Sequence, residues 1–108
     1  MSFWRDSWER QRFPFDDATQ EFDLDGEPDR LPIARCSIQP GPPTENLVDR
    51  EADLIAWTIY QPPGQDVTGQ DFGWYQGELY RVSGEPQRWT GASRSTSHDV
   101  VLLERWRG

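Results

Sequence analysis

Asp53-Leu54-Ile55-Ala56-Trp57-Thr58-Ile59-Tyr60 is the stretch on which the fold turns. It alternates, so Ile55, Trp57 and Ile59 share one face and Leu54, Ala56, Thr58 and Tyr60 the other. Both faces carry apolar groups, which predicts a strand covered on two sides, hence central. Pro62-Pro63-Gly64 ends it.

The same grammar extends outward. Residues 31–38 alternate, placing Leu31, Ile33 and Arg35 on one face and Ala34, Cys36 and Ile38 on the other, until Pro40-Gly41-Pro42-Pro43 stops them. Residues 72–75, 78–83 and 87–90 read as short strands separated by Gly77 and by Gly84-Glu85-Pro86. Residues 97–107 close the chain, with Val100, Leu102 and Glu104 opposing Val101, Leu103 and Arg105. Five to six short strands with turn signals at near-regular spacing predict an all-β fold, a small antiparallel β-barrel. The nine Gly and nine Pro argue against a helical bundle.

The first thirty residues read differently. They hold nine acids and four Arg, and from residue 16 to 29 there are seven acids and no base. Phe13-Pro14-Phe15 and Gly26-Glu27-Pro28 interrupt any regular element. The expectation is an extended acidic N-terminal arm over residues 1–30, with an extended or short helical piece within residues 3–12, attached to a barrel domain of residues 31–108. Phe3, Trp4, Trp8, Phe13 and Phe15 are the arm's expected anchors on a neighbouring subunit or ring.

Composition bounds the function. The chain has 108 residues and a net charge of -8, and every one of its eleven basic residues is Arg. Strong acidity disfavours phosphate-backbone binding, which needs clustered cations. No apolar run is long enough for a transmembrane helix, and no secretory signal pattern opens the sequence. Only 34% of residues are hydrophobic, but fourteen aromatics, six of them Trp, compensate in area. A small core with surplus aromatics fits a subunit that leans on partners.

Catalytic signals are weak, and the expectation is a non-enzyme without metal or other cofactor. His98 sits beside Asp99 on a strand, so the two side chains point to opposite faces. Cys36, the one cysteine, lies on an apolar face and reads as core. Glu21-Phe22-Asp23-Leu24-Asp25-Gly26 mimics the first half of a calcium loop, yet its twelfth position is Pro32 and no flanking helices are indicated, so a solvated turn is expected. Phe72, Trp74, Tyr75, Tyr80 and Trp89 lack the cations of a nucleic-acid platform and read as core and interface packing.

The order of short motifs carries a resemblance. Arg35-Cys36-Ser37-Ile38-Gln39-Pro40 precedes Tyr60-Gln61-Pro62-Pro63-Gly64, then Asp66-Val67 and Gln70-Asp71. Gly77-Glu78-Leu79-Tyr80-Arg81-Val82-Ser83-Gly84-Glu85-Pro86-Gln87-Arg88-Trp89 follows, and Val100-Val101-Leu102-Leu103-Glu104-Arg105 ends the series. Over residues 31–108 this resembles the head-to-tail stopper proteins, also called head-closure or head-completion connectors, of long-tailed actinobacteriophages. Members often have Gly before the cysteine, where this chain has Arg35; Trp57 and Trp106 are not features of the pattern.

The resemblance implies a small β-barrel that assembles as a homo-oligomeric ring in the virion neck, built in the host cytoplasm. It implies an adaptor or portal ring above, and tail terminator or tail tube proteins below. Packaged double-stranded DNA would pass through the lumen without specific binding, and the ring would close the channel after packaging and offer the tail-docking surface. An acidic wall suits that passage, because it repels DNA rather than holding it in register. The connection after Pro40 would reach the channel axis, which makes Thr44, Glu45, Asn46, Leu47, Val48, Asp49 and Arg50 the candidate gate. The alternative from another class is an acidic DNA-mimic inhibitor; a carbohydrate-binding sandwich is a weaker rival.

Overall fold

The computed structural model describes residues 5–41, 54–89 and 97–105, with Arg88 and Trp89 described by backbone alone. Six strands close into an antiparallel ring: β1 (Asp6–Arg12), β4 (Asp29–Pro40), β5 (Ile55–Gln61), β9 (His98–Glu104), β7 (Glu78–Val82) and β6 (Phe72–Tyr75), which returns to β1. A two-stranded hairpin, β2 (Phe15–Asp16) and β3 (Glu21–Phe22), lies between β1 and β4 in sequence. The three-residue β8 (Gln87–Trp89) extends the edge of β9 beyond the reach of β7. The fold is all-β and the barrel is small, as the alternation and turn spacing predict.

The boundary expected at residue 30 is not a structural one. β1 pairs with β4 on one side and β6 on the other, so it is a wall strand of the barrel. Its alternation explains why. Trp8, Arg10 and Arg12 take the inner phase, and Trp8 is 3% exposed in the core. Acid-rich composition hid its place in the wall, because its outer phase carries Glu9 and its inner phase carries two Arg, of which Arg10 is buried and Arg12 half-exposed.

Two bulges reset the predicted phases. Between Asp6↔Cys36 and Trp8↔Ile33, β4 contributes one residue more than β1, and Arg35 takes a left-handed φ of 59°. The extra residue flips the alternation, so Leu31 and Ile33 before the bulge and Cys36 and Ile38 after it all turn to the core side. In β5 the shift falls between Ile55 and Trp57, opposite Glu104 and Leu103. Trp57 and Ile59 therefore stay with the inner core, while Ile55 joins Val100, Leu102 and Tyr60 in a second cluster on the other face. β5 is central, between β4 and β9.

The core is packed from all sides of the ring: Trp8, Ile33, Cys36, Ile38, Ile59, Val67, Val82, Val101 and Leu103. Gly73 of β6 faces inward, where a Cβ would sit 2.8 Å from Leu103 Cδ2 and 3.0 Å from Trp8 Cζ3. Trp8 fits because Gly73, which pairs with Arg10 across the two strands, has no side chain to occupy that space. Towards the other end, Trp57 and Tyr75 meet edge to face at 5.0 Å.

Candidate interaction surfaces

Polar groups organise the inside of the barrel first. Trp8 Nε1–H donates to Gln61 Oε1 at 3.1 Å, and Asp99 Oδ2 accepts the Gly64 N–H at 3.1 Å. Gln61 and Asp99 face each other across β5 and β9, and both are fully or nearly fully buried. Asp99 thereby fixes the turn at Gly64, whose φ of 84° suits glycine. His98 turns to the opposite face and meets Tyr60 edge to face at 5.7 Å.

One end of the barrel is held by arginines from β1. Arg12 Nε donates to Asp71 Oδ1 at 2.7 Å and Nη2 to Asp71 Oδ2 at 2.9 Å, a bidentate pair on a fully buried carboxylate. The same guanidinium reaches Asp66 at 3.1 and 3.3 Å. Asp71 Oδ2 also accepts the Thr68 N–H at 2.8 Å. Hydrogen bonding to Asp71, and secondarily to Asp66, pushes the Arg12 pKa up, and Arg12 in turn holds the exposed Asp66 carboxyl below its usual range. Arg10 pairs with Asp29 at 3.2 Å. This makes the arrangement a clamp, joining β1 to the 66–71 loop. Its signal in the sequence was the i, i+2 spacing of Arg10 and Arg12, which puts both on one face of a strand.

The acidic segment folds as a flap on the outside of β1 and β6. Phe72 points outward and is 2% exposed because Phe13 and Phe22 cover it edge to face, at 5.4 and 5.6 Å. Phe15 stacks edge to face on Phe22 at 5.0 Å and remains 46% exposed. Asp16 and Asp23 accept backbone N–H groups two residues on, from Ala18 and Asp25, which are the local turns this composition favours. The calcium-loop look-alike is thus built as a turn, with Gly26 N–H donating to Asp23 O at 3.1 Å.

Beside the flap runs an open groove of about 530 Å³, lined by Glu9, Phe13, Leu24, Glu27, Trp74 and Leu79 among others. Glu9, Trp74 and Leu79 lie in one row across β1, β6 and β7. Trp74 is 43% exposed there. A third exposed apolar residue, Leu54, accepts the Arg105 N–H at 3.0 Å through its carbonyl, placing both at the β5–β9 rim. Arg105 is exposed as well.

Of the expected arm anchors, Trp8 and Phe13 are buried within this chain and Phe15 is exposed on the flap. Trp8 cannot anchor a neighbour, since it is a core residue of its own barrel. Phe3, Trp4 and the gate candidates Thr44 to Arg50 lie outside the described residues. Cys36 is fully buried, and desolvation pushes its thiol pKa up to about 12. Trp74 as a surface group was hidden in an aromatic run; the alternation of Phe72 and Trp74 gave the face, but only the flap's footprint decides which of them stays uncovered.

No family model matches the sequence, and neither a curated protein nor a solved structure matches the chain.

Proposed function

We propose that this chain is a structural protein of a phage neck, a head-to-tail stopper that forms a ring below the portal and adaptor, closes the DNA channel after packaging and presents the surface on which the tail docks. The observation that carries the reading is the role of the motif residues in the barrel. Cys36 fills the core, Gly64 turns onto Asp99, Asp66 and Asp71 clamp Arg12, and Gly77 makes the β6–β7 turn at a φ of 79°. The motif order therefore describes a scaffold, as expected of a family whose function is assembly. Two further observations agree with it: the small closed barrel implied by the resemblance, and exposed aromatic and acidic groups arranged on a wall rather than in an enclosed pocket.

The acidic DNA-mimic reading draws on one specific observation, the ordered presentation of Asp16, Asp17, Glu21, Asp23 and Asp25 on the flap, where none of them pairs with an Arg among the described residues. One experiment separates the two. The tagged chain is isolated from infected cells and from purified particles, and its companions are identified by mass spectrometry and negative-stain imaging. A ring between head and tail supports the stopper. A free chain holding a host nuclease or polymerase, and missing from particles, refutes it in favour of the mimic.

A further inference from the structure

Three buried side-chain atoms among the described residues have no hydrogen-bond partner: Arg10 Nε, Gln61 Nε2 and Asp99 Oδ1. The first belongs to a guanidinium already held on Asp29. The other two belong to residues directly opposed across β5 and β9, where paired side chains share a face. Both residues are closed off from solvent, Gln61 being 0% and Asp99 2% exposed. A polar group left bare inside the barrel costs free energy, so these two atoms call for a partner. Their neighbours decide what that partner must be. Trp8 Nε1–H donates to Gln61 Oε1, so the amide cannot turn over without setting N–H against N–H. Asp99 Oδ2 is taken by the Gly64 N–H. What remains is a donor on β5 and an acceptor on β9, with no hydrogen bond between them.

We infer that one ordered water molecule bridges Gln61 Nε2 and Asp99 Oδ1 as an integral part of the core. The chemistry of the two atoms selects it. A metal cation would bind the carboxylate oxygen but meet the hydrogens of the amide. An anion would take the amide hydrogens but face the carboxylate. Water accepts from the first and donates to the second, and buried waters characteristically sit between groups that lack any other partner. Burial sets the size, because nothing larger reaches two side chains so enclosed without opening the barrel wall. The bridge completes a chain of hydrogen bonds from Trp8 through Gln61, the water and Asp99 to Gly64. It ties β1, β5, β9 and the turn after β5 together through the interior, where each bond polarises the next.

The test is nuclear magnetic resonance on the isotope-labelled full chain, with water-selective laboratory-frame and rotating-frame Overhauser spectra. The two spectra together separate a dipolar contact with water from exchange of the amide protons, by sign. Wild type is expected to show a dipolar cross-peak from a long-lived water to the side-chain amide protons of Gln61. Asp99→Leu removes the second anchor and fills its space, so that cross-peak is expected to be lost in a variant whose barrel circular dichroism confirms. Should the variant not fold, the wild-type spectrum decides alone. A wild type without the cross-peak overturns the bridge. The Asp99 oxygen is then met directly, by the Gln61 amide or from Arg88, its register partner on β8. A cross-peak that survives Asp99→Leu overturns it too, because the water then rests on Gln61 without Asp99. Failure here removes the water bridge only, whereas failure of the stopper reading appears in the particle imaging.

Discussion

Arg35 holds a left-handed backbone at the bulge that turns β4 from β1 towards β5. A side chain there costs roughly 1–2 kcal/mol, part of which glycine returns as chain entropy. Arg35→Gly is expected to stabilise the chain by about 0.5–1 kcal/mol, read as a higher urea midpoint. Gly73 is the converse. A methyl at that position meets Leu103 and Trp8, so Gly73→Ala is expected to cost about 1–3 kcal/mol in the same assay. Cys36 adds a pH dependence. Its native pKa is raised from 9.0 to about 12 by burial, so above pH 9 the unfolded chain loses a proton that the native chain keeps. Stability therefore falls as pH rises through that window, by about 1.4 kcal/mol at pH 10 from this group. Comparing the pH 8 to pH 10 change in wild type and Cys36→Ala isolates it, the variant being expected to lose less.

At the scale of elements, the clamp and the flap make separate claims. Arg12→Ala leaves the buried Asp71 carboxylate without its cation, at an expected cost of about 2–4 kcal/mol, the lower end reflecting the partial exposure of Arg12. Asp66→Asn is expected to cost far less, because water replaces much of what Arg12 gives an exposed carboxylate. Urea unfolding of both variants measures the contrast, and equal losses would show that the clamp does not work through Asp71. Phe22 joins the flap to Phe72. Phe22→Ala is expected to speed cleavage by Glu-specific protease within residues 15–28 while circular dichroism still reports the barrel; unchanged cleavage would mean the flap is held by something else. These elements also mark how far the sequence was legible. Strand placement from residue 31 onward, the centrality of β5 and the alternation of β9 followed from period-2 patterning. The bulges did not, because one inserted residue leaves composition unchanged while inverting every side chain beyond it. The extended piece expected within residues 3–12 was placed in an arm rather than in the wall because its inward phase holds two arginines, Arg10 buried beside Asp29 and Arg12 paired with the buried Asp71.

For the whole molecule, closing the ring resolves the tension between a low hydrophobic content and a stable wall. No wall strand leaves both edges unpaired, and Trp8, Trp57 and Tyr75 fill volume that aliphatic residues would otherwise have to supply. What remains outside is uneven, with exposed acids and aromatics gathered over β1 and β6. That unevenness is why assembly, rather than catalysis, is the reading we favour. The most direct test is a phage stock in which this chain is not made. The stopper account predicts tailless heads that lose their DNA, accumulating beside finished tails, and recovery of infectious particles when purified chain is added to freshly packaged heads. Normal yields of tailed, DNA-filled particles without the chain would contradict it.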